Sequence, residues 1–254
     1  MLRLPCFLVL GWIVCRASMI GAAAPPADAP AAPPEDKTTN AAAWDPTDRY
    51  EPREIQGWRV LVNRRLLEEK TLCGDALRLL DAQLYQITRQ VPPSALGKLR
   101  KIGIWVERDE PHHPCMAFHP DAGWLREHGM NPEKAGCVEI ANAGNFLQWT
   151  KQQPWMALHE LAHGYHHLFL EGGYGNPRIE GAYRKALESK SYESVLHISG
   201  KKERAYALTN PMEYFAETSE CYFGTNDFYP FVRAELQEHD PEMFELLGEL
   251  WNRN

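Results

Sequence analysis

The 254-residue chain lacks a hydrophobic run long enough to cross a membrane, because its N-terminal apolar stretch, Leu4 to Cys15, is closed off by Arg16 short of the roughly 20 residues a spanning helix needs. It also lacks an excess of positive charge. Lys and Arg number 27 against 34 Asp and Glu, a formal net charge of −7, which excludes the basic surface that nucleic-acid binding requires. No internal repeat is found, and past residue 43 no further linker, so the remaining 210 or so residues are read as one domain, taken to be monomeric. What is present is core-forming material: 44% of residues are hydrophobic and 11% aromatic.

Arg3, the short apolar run and the small residues Gly21 to Ala24 together read as a signal peptide over residues 1–24, with an uncleaved anchor as the minority alternative. Export places the protein in the secreted or periplasmic space with no stable membrane insertion after cleavage. Loss of Arg3 and Arg16 takes the net charge from −7 to −9. Residues 25–43 are dominated by Ala and Pro and read as a linker, either a tether or an inhibitory propeptide. The domain then spans 44–254. Four cysteines remain, and an oxidising compartment favours disulfides among Cys73, Cys115, Cys137 and Cys221, with Cys115–Cys137 the preferred pair and four buried thiols the alternative.

Within the domain, Trp58 to Asn63, Lys101 to Glu107 and Val138 to Asn142 are strand candidates, and leucines at helical spacing mark a helix over Gly74 to Val91. Between the last two strands lies a polar segment holding His112, His113, Cys115 and His119, read as a solvated loop. From Pro154 onward the pattern is helical, and the stretch from Tyr229 to Trp251 forms two helices around Asp240-Pro241. The expected class is α+β: a small mixed sheet followed by helices that run to the C-terminal end.

The chemistry is carried by His159-Glu160-Leu161-Ala162-His163. On a helix, residues four apart stand one above the other, so two imidazoles can bind one zinc ion while Glu160 reaches a water on it. A third ligand must come from elsewhere. Phe169 stands where a metzincin would carry its third histidine. The best donor lies in Asn210-Pro211-Met212-Glu213-Tyr214-Phe215-Ala216-Glu217, where Asn caps and Pro begins a new helix. Glu213 is taken as ligand, although its place three residues past the cap also suits a capping box. Glu217, one turn on, is taken as the carboxylate that supports a ligand histidine, and the two roles could be exchanged. His166 and His167 continue the motif helix as pocket-lining or surface residues.

The stretch from Leu158 to Phe223 resembles the zinc peptidases of the anthrax lethal factor type, which include secreted endopeptidases that cut between prolines. There the motif is followed by a Tyr, a Thr-Asn pair and a segment similar to Glu-Phe-Phe-Ala-Glu; here Tyr206-Ala207-Leu208-Thr209-Asn210 precedes Glu213 to Glu217 in the same register. The resemblance implies that Glu213 is the third zinc ligand, Glu217 the supporting carboxylate and Tyr206 a catalytic tyrosine. The expected activity is hydrolysis of peptide bonds in a peptide or protein substrate through a zinc-bound water, with one Zn2+ per chain. Two rivals stand beside it: an exported binding module with a structural zinc, and an amidase acting on cell-wall peptides. By analogy of architecture, Val138 to Asn142 is either the edge strand that pairs with substrate or an ordinary core strand.

Overall fold

The computed structural model describes residues 44–252; the segments expected to be a signal peptide and a linker lie outside them. The described residues form one compact unit of mixed α+β structure. No helix among the described residues is long and apolar enough to cross a membrane.

The domain opens with a hairpin of β1 (Tyr50–Ile55) and β2 (Trp58–Asn63). Its two-residue turn holds Gln56 and Gly57 at φ of 52° and 87°, the left-handed pair whose twist suits a tight hairpin. Three helices follow, α1 (Arg64–Glu68), α2 (Lys70–Gln90) and α3 (Pro93–Leu99), and carry the chain back to β3 (Ile104–Val106), parallel to β2. Such a crossover is what a parallel pair demands. Then come β4 (Met116–His119), α4 (Ala122–Glu127) and β5 (Cys137–Ile140).

The five strands are ordered β1-β2-β3-β5-β4, parallel at the centre and antiparallel at both edges. Of the two readings of Val138 to Asn142, the ordinary core strand holds for β5, and the edge is β4, inside the segment read as a solvated loop. Pairing explains the difference. Alternation alone cannot tell an edge strand from its neighbour, since that depends on which segment adds last.

The remaining elements are α5 (Ala143–Trp149), the motif helix α6 (Met156–Phe169), α7 (Pro177–Ser189), a short hairpin of β6 (Val195–Leu196) and β7 (Lys202–Glu203), then α8 (Pro211–Phe223), α9 (Arg233–His239) and α10 (Pro241–Asn252). Val60, Val62, Ile104, Val106, Phe118, Val138 and Ile140 turn one sheet face toward the helices, in one core with Leu80, Leu84 and Ile87 of α2 and Leu158 and Leu161 of α6. Every residue of α8 from Glu213 to Phe223 is buried. Trp251 of α10 closes this layer, stacked on Tyr165 of α6 at 4.2 Å and on Phe215 of α8 at 5.8 Å between ring centroids. An apolar side chain so placed contributes about 1.5–3 kcal/mol by burial.

No disulfide joins Cys73, Cys115, Cys137 and Cys221 in this structure, and Cys73, Cys115 and Cys221 are buried. Cys137 pairs with His119, whereas Cys115 precedes Met116 at the other end of the same ladder. Four residues of strand span about 13 Å, and a disulfide bridges Cα atoms no more than about 7 Å apart. The intervening segment folds as a strand and returns beside itself, which sets the two thiols at opposite ends of the ladder.

Candidate metal centre

The site is built where α6 and α8 cross. The two helices run antiparallel: Trp155, the residue before α6, lies against Gly224 at the end of α8, and His166 meets Phe215 at 5.0 Å between ring centroids. A Cβ on Gly224 would fall 2.0 Å from the Trp155 ring, so only glycine permits this approach. Gly164 does the same on the opposite side of α6, where a Cβ would meet Ile102 at 2.7 Å and Phe118 of β4 at 3.0 Å. Close packing on both flanks sets the motif helix between the edge strand and α8.

Asn210 accepts from the Glu213 N–H at 2.9 Å and so caps α8, with Pro211 in its first turn. Only the backbone of Glu213 is used by this cap. Its side chain turns to the histidines, with Oε2 at 3.1 Å from His159 Nε2 and 3.3 Å from His163 Nε2. The two Nε2 atoms are themselves 3.1 Å apart. Three ligand atoms on a small tetrahedral cation with bonds near 2.05 Å would be separated by about 3.3 Å. His159, His163 and Glu213 therefore could hold a metal ion, and their donor set, two imidazoles and a carboxylate, is one that zinc accepts.

The electrostatics favour positive charge at this point. Burial depresses the His159 imidazole, but hydrogen bonds and charge from Glu213 and Glu220 outweigh it and raise it well above its ordinary value. Burial would raise Glu213, yet His163 and His159 hold its carboxyl well below the usual carboxylate range. Glu160, buried on the same helix, is raised chiefly by burial, and its Oε2 accepts from the Phe118 N–H of β4 at 2.8 Å. A buried carboxylate with a raised pKa is a better proton acceptor than an exposed one.

The carboxylate nearest His159 Nδ1 is that of Glu220, with Glu217 farther away. His159 Nδ1 lies 2.7 Å from Glu220 Oε1 and 3.8 Å from Glu217 Oε1. Glu217 instead accepts from Asn226 Nδ2 at 3.1 Å. Burial, then Asp227 and Glu220, push the Glu217 carboxyl well up, and burial takes that of Glu220 up to about 7. Glu220 was missed in the sequence although it lies seven residues past Glu213, two helical turns along the same face.

Tyr206 stands in the 3₁₀ turn Tyr206–Leu208 ahead of α8, a turn pinned by Arg204 and Tyr183 donating to Leu208 O at 3.0 and 2.9 Å. A second tyrosine, not singled out in the sequence, is Tyr174. Its ring packs on His167 and His166 at 4.7 and 5.2 Å, and after burial the charges that most raise its phenol are Glu160 and Glu213. His166 is wholly buried rather than on the surface, and burial takes its pKa down to about 3.

The open edge of the sheet borders this centre. Ala141 and Gly136 donate to Cys115 O and His119 O, so those residues, and Ala117 midway, face β5. By alternation the backbone groups of Met116 and Phe118 point outward, and the Phe118 N–H does so onto Glu160. His119 is no loop residue: it is buried, and its Nε2 meets Glu139 at 2.6 Å. Comparison with protein-family models, with curated proteins and with solved structures finds no match.

Proposed function

We propose that this protein is an exported zinc-dependent endopeptidase with a zincin-like domain, in which His159, His163 and Glu213 hold the ion. The observation that carries the reading is the convergence of their three ligand atoms to within 3.1–3.3 Å of one another from two different helices. Zinc when bound makes water acidic enough to deprotonate at neutral pH and polarises a carbonyl. The chain supplies the rest. Glu160 takes the proton of the attacking water and returns it to the leaving amine. With the Phe118 N–H taken by Glu160, the outward backbone groups of Met116 and the Phe118 carbonyl are what remains to pair with an extended peptide, an attachment tolerant of side-chain identity.

Two phenols are candidates to stabilise charge on the carbonyl oxygen: Tyr206, through the resemblance to lethal-factor-type peptidases, and Tyr174, through its proximity to Glu160 and Glu213. Phenylalanine at the acting position lowers kcat by about 10²-fold or more with KM little changed, and phenylalanine at the other leaves kcat nearly intact.

The deciding experiment measures zinc content and cleavage of a mixed peptide library. Wild type binds one zinc and cuts. Glu160→Gln keeps zinc and loses about 10²–10⁴-fold in kcat, and Glu213→Ala loses both. Zinc binding with no amide cleaved transfers the protein to the class of binding modules. Cleavage confined to cell-wall peptides makes it an amidase of that class.

A further inference from the structure

We infer that Glu220, and not Glu217, is the positioning carboxylate that orients His159 toward the metal. This rests on the zinc-site reading above and departs from the pattern that the resemblance implied. A histidine that binds a metal through Nε2 keeps its proton on Nδ1. That N–H needs an acceptor to hold the ring plane and to raise the basicity of the ligating nitrogen. Glu220 Oε1 lies 2.7 Å from Nδ1, a strong hydrogen bond, while Glu217 Oε1 at 3.8 Å is outside hydrogen-bond range.

The cause is helix register. With Trp155 seated on Gly224 and His166 against Phe215, the antiparallel α6 and α8 bring His159 level with Glu220. Glu213 and Glu220 are about 10 Å apart along the α8 axis, so their side chains reach the imidazole from its two ends. Glu213 meets Nε2 at 3.1 Å and Glu220 meets Nδ1. Glu217, on the turn between them, is held by Asn226, whose amide also donates to Phe228 O at 3.0 Å. Its carboxylate serves the loop that follows α8.

The test measures zinc affinity by competition with a chromophoric chelator, and the visible absorption of the cobalt-substituted protein, for full-length wild type, Glu220→Ala, Glu220→Gln and Glu217→Gln. Glu220→Ala is expected to bind zinc about 10–100-fold more weakly. Glu220→Gln, which keeps a neutral acceptor, falls between it and wild type, and both shift the cobalt bands. Glu217→Gln stays within about threefold of wild type with an unshifted spectrum. Equal affinity and spectrum in wild type and Glu220→Ala, or a loss in Glu217→Gln as large as in Glu220→Ala, overturns the inference. Should Glu220→Ala not fold, the isosteric Glu220→Gln decides: weaker zinc binding and shifted bands support the assignment, and wild-type values overturn it. A wild-type protein that binds neither zinc nor cobalt is a different failure, that of the metal site itself.

Discussion

Two clusters of charge are buried in this domain, and they are built on opposite plans. On the outer face of the sheet, Lys134 is 1% exposed and donates to both Glu107 and Glu139, the former at 2.7 Å. His119 meets the other oxygen of Glu139, while Tyr50 donates to Glu107 at 2.5 Å and Asn63 at 2.7 Å. This cluster contains its own cation. Between α6 and α8, Glu160, Glu213, Glu217, Glu220 and Asp227 are all buried, and every ion pair they make among the described residues is with a histidine. Buried carboxylates without a fixed cation are costly. The first cluster is complete as folded; in the second the counter-charges among the described residues are titratable histidines, and the proposed ion would supply a fixed one.

The comparison breaks most sharply at Glu213. If the α6–α8 cluster is completed by zinc, saturating zinc at about a thousand times Kd stabilises wild type by about 4 kcal/mol. Glu213→Ala abolishes that gain together with peptide cleavage. Thermal unfolding with and without added zinc measures it, and an equal upward shift in the variant would detach Glu213 from the ion. The sheet cluster predicts the converse. Lys134→Met leaves Glu107 and Glu139 buried without their counter-charge and costs about 3–5 kcal/mol, while the increment from added zinc stays as in wild type. Urea unfolding of apo and zinc-loaded Lys134→Met separates the two clusters, and a lost zinc increment would show that they are coupled.

How legible each cluster was in the sequence follows the same division. The candidate metal centre rests on local spacings. His159 and His163 share a helix face because they are four apart, and Asn210-Pro211 announces the start of α8 and so the facing of Glu213. Glu220 obeys the same spacing, but choosing it over Glu217 depends on how α6 and α8 slide against each other, which the Trp155–Gly224 contact sets from far along the chain. The sheet cluster rests on non-local pairing. Lys134, Glu107 and Tyr50 meet only because β1, β3 and β5 take their places in one sheet, and no local pattern around Lys134 marks it as buried. For the same reason β4 was taken for a loop. Its four residues lie among Pro, His and Cys with no alternation to mark them, and their strand character comes from pairing with β5.

Within the motif helix itself the contrast between charged and neutral burial can be sharpened one step further, at His166. Three residues past His163, it is wholly buried between Tyr174 and Phe215 with no carboxylate bonded to it, and burial takes its pKa down to about 3 from the ordinary 6.5. The folded state therefore keeps this imidazole neutral between pH 6.5 and 3, while the unfolded chain takes up a proton as pH falls through 6.5. Stability is lost on acidification in that window, by about 1.4 kcal/mol per pH unit once the pH is below 6. His159 on the same helix has the opposite sign, its pKa being raised by Glu213 and Glu220. His166→Phe keeps an aromatic ring in the slot and removes the titrating group. Urea unfolding of the apo protein between pH 7 and 4.5 should show a shallower acid limb in the variant than in wild type. Parallel limbs would mean that His166 is charged when folded, and the division of α6 into a cation-binding turn and a neutral one would fail.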